Sequence, residues 1–118
     1  MNRQLELLLQ LQELVLMRRA RELVQPDAAP QSYHLLDQKI NRVRHRLPGP
    51  LLSQFDALLR QGPDAMARVI EGICQGCGAA LPHHVAQRVQ NERELPCCPE
   101  CNRFLYSAPH APPYVPLS

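Results

Sequence analysis

Four cysteines in two closely spaced pairs are the residues of this sequence that are best suited to chemistry. Cys74 and Cys77 form one C-x2-C pair, and Cys98 and Cys101 form a second pair after a gap of 20 residues. Two residues between thiolates let both sulfur atoms reach one ion while the backbone turns tightly around it. Two such knuckles complete a tetrahedral shell of four sulfurs. The spacing therefore predicts a metal site with these four cysteines as its ligands.

Zinc is the metal that this ligand set favours. A tetrahedral set of four sulfurs suits zinc or iron. The knuckles also resemble those of rubredoxin, which holds one redox-active iron, but such sites lie in compact domains rich in aromatic residues. This chain has two Phe, three Tyr and no Trp. Four thiolates leave no open coordination position, so we expect one structural Zn²⁺ ion and no small-molecule substrate.

Three other residues near the pairs are potential ligands. Cys97 can replace Cys98 in a slipped register, or it is a small residue on the segment that enters the knuckle. His83 and His84 lie between the pairs, as alternate ligands or as surface residues at the start of a helix. Because four thiolates already satisfy zinc, the sequence favours the structural interpretation for all three.

The composition argues against a large catalytic domain. The chain has 118 residues, a formal net charge of +2 and few aromatic side chains, which cannot fill a deep core. It contains no Ser/His/Asp set, no phosphate-binding glycine loop and no paired carboxylates at useful spacing. We therefore expect no enzymatic activity. A redox role for the cysteines would require thiols that react readily in the native protein, whereas thiols bound to zinc are protected.

The first residues of the chain predict its compartment. Residues 1–11 lack a basic region followed by an uninterrupted apolar block and a small-residue cleavage site. No stretch of about 18 apolar residues is present. We therefore expect a cytoplasmic protein with no membrane partner. Cytoplasmic thiols stay reduced, and paired cysteines there more often bind metal than form disulfides.

Two amphipathic helices are predicted for the N-terminal part. Residues 2–24 lack Pro and Gly and consist mostly of good helix formers. A second helix is expected at 32–47, with Ser32 as its N-cap. One face of it carries four apolar residues: Leu36, Ile40, Val43 and Leu47. The short connection with prolines at 26–30 favours an antiparallel hairpin. A third, short helix is predicted at 51–60.

A small β module is predicted around the cysteine pairs. Apolar residues alternate with period two over 65–73, which indicates a strand that leads into the first pair. A helix at 82–90 and strands at 94–97 and 104–106 complete the module. We expect either Phe104 or Tyr106 to pack beneath the metal and the other to close the small core.

These elements predict an α+β protein. It would consist of an N-terminal antiparallel helical hairpin, a short third helix and a C-terminal small β zinc ribbon. The expected organisation is a coiled-coil-like hairpin at 1–47, a linker with a short helix at 48–64, a four-Cys zinc ribbon at 65–106 and a disordered Pro-rich tail at 107–118.

Residues 69–106 resemble the bacterial C4-type zinc-ribbon family, whose members carry an N-terminal helical coiled coil. The resemblance is carried by the knuckle at 72–77, by Leu81-Pro82 and by the ending at 98–106. That ending is similar to the family pattern CPxCGR-x-LY, with Asn102 in place of Gly, and Asn tolerates a positive φ. The resemblance implies zinc at the four cysteines and a nucleic-acid or transcription-machinery partner. The helices here are much shorter than the coiled coil common in the family.

A lesser resemblance is to the DksA/TraR regulators of RNA polymerase. That family also joins a helical hairpin to a four-Cys zinc module. Its hairpin tip carries acidic residues, whereas the tip here offers only Asp27. The gap between the pairs is also longer here, and the Leu-Tyr ending is foreign to that family.

Basic residues on the hairpin predict a nucleic-acid surface. Residues 1–47 hold eight basic and five acidic residues, a net charge of +3, whereas 48–118 hold five and six. An Arg-rich helical face either binds phosphates or only keeps the hairpin soluble. The expected partner is a nucleic acid or a transcription-related protein. Five cations are the candidate contacts: Lys39, Arg42, Arg46, Arg18 and Arg19.

The leucine-rich first helix supports an alternative function. Apolar positions over residues 5–16 exceed what one narrow helical seam requires. In this alternative the helix dimerises or docks another protein, the ribbon acts as a stabilising cap, and nucleic acid is not bound directly. Salt-dependent binding to generic DNA or RNA would distinguish the two functions.

Overall fold

The computed structural model describes residues 3–91 and 93–107 of the chain. In that part the fold is mixed α+β, as predicted, with four α-helices and one small three-stranded sheet. The tail predicted at 107–118 lies outside the described residues except for Ser107, which belongs to a strand. No helix of the described part combines the length and the apolar character that a membrane span requires.

The first two helices, α1 (Arg3–Val24) and α2 (His34–His45), form the predicted antiparallel hairpin. Arg18, in the second half of α1, pairs with Asp37 near the start of α2 at 2.6 Å. Gln10, in the first half of α1, lies in a shallow groove with Val43 near the end of α2. The two helices therefore run in opposite directions.

The beginning of α2 differs from the prediction. Pro30–Tyr33 form a turn of 3-10 helix, and Ser32 Oγ donates a hydrogen bond to the Ala29 carbonyl at 2.7 Å. Ser32 therefore is not the N-cap of α2. The third helix, α3 (Gly49–Gln61), is formed as expected and has Pro50 in its first turn. An N–H group has no helical partner at that position, so proline is tolerated there.

The first half of α1 is buried in a helical core. Five leucines are covered there: Leu5, Leu7, Leu8, Leu9 and Leu11. They pack with Phe55, Leu58 and Leu59 of α3. The helix is apolar on several sides over this stretch because it is surrounded by its own chain. Most of the apolar surface that the sequence assigns to docking at 5–16 is therefore used inside the molecule.

The segment predicted as one strand at 65–73 is a hairpin. Strands β1 (Met66–Ile70) and β2 (Ile73–Cys74) pair in antiparallel directions. Between them, Glu71 and Gly72 have φ values of 51° and 75°. A two-residue hairpin turn of type I′ requires such left-handed backbone at both positions. The alternation of apolar residues continues through this turn, so it does not indicate that the chain changes direction there.

The third strand, β3 (Phe104–Ser107), pairs with β1 in parallel and gives the order β2-β1-β3. The predicted strand at 94–97 is not formed. Its link to the sheet consists of an isolated bridge from Cys97 to Phe104 and a hydrogen bond from Leu105 N to the Pro96 carbonyl at 2.9 Å. Pro96 has no N–H group with which to extend a ladder. The predicted short helix is present as α4 (His83–Val89).

The sheet separates two hydrophobic cores. Met66 and Phe104 lie in the helical core, whereas Ala67 and Leu105 lie in the core that contains the cysteines. Successive strand residues point to opposite faces, so Tyr106 shares the side of Phe104 and also packs against the helical core. The expectation that one of these aromatics packs beneath the metal site is therefore wrong, and Leu105 is the β3 residue that packs with the cysteines.

Candidate metal centre

Four cysteine side chains converge on the side of the sheet opposite the helical core. The Sγ atoms of Cys74, Cys77, Cys98 and Cys101 all lie within 4.8 Å of one another. The sulfurs of Cys74 and Cys101 are 3.8 Å apart, and those of Cys77 and Cys98 are 3.7 Å apart. Sulfurs placed tetrahedrally at 2.3 Å from one ion are separated by about 3.8 Å. The arrangement thus fits a four-coordinate metal ion.

The two knuckles have the same local geometry. Gly78 N donates to the Cys74 carbonyl at 2.7 Å, and Asn102 N donates to the Cys98 carbonyl at 2.8 Å. The residue after each pair has left-handed backbone, with φ of 79° at Gly78 and 64° at Asn102. Asn is one of the few residues with a side chain that adopts this conformation readily. Asn102 therefore does in the second knuckle what Gly78 does in the first.

A substitution at Asn102 tests this backbone role. Asn102→Val should lower the free energy of unfolding by about 1–3 kcal/mol, because a β-branched residue is strained at positive φ. Asn102→Gly should leave stability unchanged or raise it slightly. Urea denaturation at saturating zinc would measure both changes. Asn41→Val, at an exposed position of α2, is the matched control and should shift stability by less than about 0.5 kcal/mol.

The four thiols differ in burial and in pKa. Cys74 and Cys98 are buried, Cys101 is half-buried and Cys77 is exposed. Burial raises the pKa of Cys74 to about 12 and also raises the pKa of Cys98. Burial acts in the same direction on Cys101, but hydrogen bonds from the Arg103 backbone and side chain and from neighbouring cysteines lower its pKa to about 7. The Cys101 thiol therefore has the lowest pKa of those shifted, and a bound cation would favour the ionised form of the buried thiols.

The other potential ligands lie outside the cluster. Cys97 Sγ accepts a hydrogen bond from Gln54 Nε2 of α3 at 3.0 Å and packs against the helical core. Its burial raises the pKa of its thiol. His83 and His84 are exposed at the start of α4. The structure therefore gathers Cys98 rather than Cys97 into the sulfur set.

Arg18 and Arg19 are engaged by the protein itself. Arg18 pairs with Asp37 at 2.6 Å and also with Glu22. Arg19 Nη2 donates to the Leu59 carbonyl at 3.3 Å, near the end of α3. Their positions in α1 alone indicate a basic cluster, but the charge of Arg18 is compensated by residues of two helices. Arg18 and Arg19 are therefore less available to phosphate groups than their positions in the sequence imply.

The remaining predicted contacts form an open surface, the basic face of α2. It consists of Lys39 and Arg42 in α2 and of Arg46, the residue that caps the end of the helix, and all three are exposed. Within residues 3–91 and 93–107, none of the three forms an ion pair. By contrast, Arg44 lies on another side of α2 and binds both carboxylate oxygens of Asp56 at 2.9 Å. Lys39, Arg42 and Arg46 are therefore available to a ligand, whereas Arg44 is not.

Two polar residues with structural roles, Gln12 and Asp64, were not evident from the sequence. Gln12 of α1 accepts two backbone hydrogen bonds at the start of β1. Asp64 pairs with Arg103, which directly follows the second knuckle. Gln12 lies among the leucines of α1. A polar residue within an apolar stripe is the one sequence feature that indicates a hydrogen-bonding role inside the molecule.

Comparison with solved structures finds the same fold in two bacterial proteins. The CT398 protein of Chlamydia trachomatis superposes with a TM-score of 0.58 at 23% identity, over 65% of this chain and 33% of that one. The HP0958 protein of Helicobacter pylori superposes with a TM-score of 0.60 at 18% identity, over 66% and 33%. The match thus spans about one third of the length of each. No protein-family model and no curated protein matches this chain.

Proposed function

We propose that this chain is a non-enzymatic zinc-ribbon protein with one structural Zn²⁺ ion, held by Cys74, Cys77, Cys98 and Cys101. The observation that carries the proposal is the sulfur set, with separations of 3.7 and 3.8 Å. These separations are those of a tetrahedral zinc–thiolate shell. The resemblance of residues 69–106 to the C4-type zinc-ribbon family supports the same metal and the same class of protein.

The role of the ion follows from where its ligands lie in the chain. The first knuckle begins in β2, and the second immediately precedes β3. An ion that joins the two knuckles brings β3 beside β1, which is its parallel partner. Parallel pairing of such short strands contributes little by itself. The metal thus supplies the stability that the small second core lacks, and the four thiolates leave no position for a reacting substrate.

We propose further that the basic face of α2 binds the phosphate backbone of a nucleic acid, alone or in a transcription-associated complex. Lys39, Arg42 and the C-cap residue Arg46 follow one another at spacings of three and four residues, so they extend over about 10 Å along α2 and its end. Their charges are not compensated by ion pairs in the described part of the chain. In a cytoplasmic location the cysteines would stay reduced and able to bind zinc. The same location would give the protein access to nucleic acid.

Charge reversal of the basic face tests the nucleic-acid proposal. Three phosphate contacts predict that log K falls with log[salt] with a slope of about −2.7 on duplex DNA, which is about 40-fold between 50 and 200 mM salt. In the variant with Lys39→Glu, Arg42→Glu and Arg46→Glu, the affinity at 50 mM salt should fall below detection. Fluorescence anisotropy with labelled duplex DNA and single-stranded RNA would measure both quantities.

A matched control separates the basic face from overall charge. Arg60, Arg88 and Arg93 are exposed elsewhere on the chain, and their replacement by Glu changes the net charge by the same amount. This variant should keep most of the affinity. An equal loss in both variants would show that the basic face has no special role. If the native protein binds neither DNA nor RNA at 50 mM salt, the nucleic-acid proposal fails and the zinc proposal is unaffected.

Exposed apolar residues near the end of α1 favour a second function, a protein–protein module. Leu23 and Val24 are 84% and 78% exposed, and Leu16 and Met17 are also uncovered. The helical spacing of Leu16 and Leu23 places them on one side of α1. This surface would serve a homodimer through α1 or the docking of another protein. Sedimentation of the purified protein as a monomer, together with salt-dependent nucleic-acid binding, would count against this second function.

A further inference from the structure

Arg103 connects the second knuckle to the segment between α3 and β1. Its Nε donates to Asp64 Oδ1 at 2.5 Å, and the Cys101 sulfur lies beside its guanidinium group. The Arg103 side chain is only 17% exposed. A planar guanidinium can hold two acceptors in different directions at once, which an ammonium group on a flexible stem does less well. The Arg103 side chain therefore bridges Cys101, a proposed metal ligand, and the carboxylate of Asp64, which precedes Cys101 by 37 residues.

The Arg103 side chain also lies tightly against the first knuckle. A Cβ atom at Gly76 would come within 2.9 Å of Arg103 Cδ and 3.1 Å of Ala67 Cβ. The backbone of Gly76 does not have a positive φ, in contrast to Gly72 and Gly78. The glycine at position 76 is thus explained by this close approach and not by backbone conformation. Arg103 contacts both halves of the sulfur site.

The contacts continue from Asp64 to the helical hairpin. The backbone amides of the next two residues, Ala65 and Met66, donate to Oε1 of Gln12 at 2.7 and 2.9 Å. Phe104, the residue after Arg103, donates a hydrogen bond from its backbone N to the Ala65 carbonyl at 2.9 Å. A continuous series of hydrogen bonds and adjacent residues therefore runs from the sulfur site to the middle of α1.

We propose that Arg103 is a positioning residue that couples the metal site to the helical hairpin. It holds Cys101 in the ligand set and, through Asp64, keeps the start of β1 attached to Gln12 of α1. The inference rests on the proposed binding of a metal by the four cysteines. Residues that orient metal ligands from outside the coordination shell commonly change metal affinity by about 10- to 100-fold when they are replaced.

The first test measures how firmly zinc is held. Zinc-loaded protein is mixed with an excess of a colorimetric chelator, and the rate of transfer is recorded. Arg103→Met should release zinc about 10- to 100-fold faster than the native protein. Arg103→Lys, which keeps the charge without the two-directional geometry, should fall between them. Arg88→Met is the matched control, because Arg88 is an exposed arginine of the same module that pairs with Glu94.

The outcomes of this test are distinct. If the native protein takes up no zinc, the proposed function fails. If it takes up zinc and Arg103→Met releases it no faster than Arg88→Met, only the role of Arg103 is overturned. If Arg103→Lys behaves as the native protein does, the charge alone is sufficient and the bridging role is wrong.

The second test measures coupling to the hairpin. Hydrogen exchange is followed at the Ala65 and Met66 amides, which donate to Gln12, with zinc held at saturation. Both Arg103→Met and Asp64→Asn should exchange at least about 10-fold faster at these amides, while Gly78 N in the first knuckle stays protected. Asp64→Asn retains every cysteine and Arg103, so it remains informative if Arg103→Met folds poorly. Unchanged exchange at Ala65 and Met66 in zinc-loaded Asp64→Asn would overturn the coupling.

Discussion

Replacement of Cys98 by Ser is expected to abolish tight zinc binding and to unfold the cysteine-containing half of the chain. Structural zinc contributes on the order of 10 kcal/mol to small modules of this kind at neutral pH. Whole domains have net stabilities of only about 5–15 kcal/mol. Cys98 is buried and belongs to the sulfur set, so its hydroxyl replacement would leave a poor ligand in a closed site. Zinc content by elemental analysis and amide dispersion in NMR spectra would measure the two effects.

The neighbouring cysteine supplies the control for this prediction. Cys97 Sγ binds Gln54 and faces the helical core, so Cys97→Ser should keep one zinc per chain and a folded ribbon. Cys97→Ser should lower the free energy of unfolding by about 1 kcal/mol, because it alters one partly buried hydrogen bond. Zinc retained by Cys98→Ser and lost by Cys97→Ser would place Cys97 in the coordination shell. Treatment of the native protein with a strong chelator should reproduce the unfolding of Cys98→Ser.

Replacement of Phe104 by Ala is expected to lower the free energy of unfolding by about 3–5 kcal/mol. Phe104 is 1% exposed and is the β3 residue that enters the helical core. Its removal leaves a cavity at the junction of the two cores, where the sheet meets the helices. For a chain of this size the loss corresponds to a fall in melting temperature of more than about 10 °C. Calorimetry of the zinc-loaded protein would measure it.

The position of Phe104 also predicts what should not change. Its side chain lies on the face of the sheet away from the cysteines, so zinc content at saturating metal should remain one per chain. Ile73→Ala is a suitable control, because Ile73 belongs to the same sheet but is 40% exposed, and it should cost less than about 1 kcal/mol. A melting temperature of Phe104→Ala equal to that of Ile73→Ala would contradict the packing described here.

The parts of the fold that sequence patterns predict best are those set by neighbouring residues. The helices α1, α2 and α3 follow from runs of good helix formers interrupted by prolines, and they agree with the structure to within a few residues at their ends. The left-handed backbone at Asn102 was expected from its position after the second pair, and its φ of 64° agrees. Both features depend on local propensity, which a sequence expresses directly.

The errors arise where local preference is overruled or incomplete. The apolar alternation over 65–73 continues through the reversal at Glu71 and Gly72, because a short turn between two strands of similar composition leaves the pattern unbroken. The segment 94–97 has the composition of a strand, but Pro96 cannot donate to a ladder. The side of the sheet that Phe104 faces depends on how β3 pairs with β1. This pairing joins residues far apart in the sequence, so the residues next to Phe104 do not predict it.

The two cysteine pairs and the helices of the α+β fold follow from the sequence alone, because C-x2-C spacing and helical periodicity act within a few residues of the chain. The packing of the whole chain brings the two cysteine pairs together and sets which cations remain available to a ligand. The carboxylate of Asp37 compensates the charge of Arg18, whereas Lys39 forms no ion pair with another residue of the described part of the chain. Such pairs join residues far apart in the sequence, and burial and charge compensation depend on the packing of whole elements.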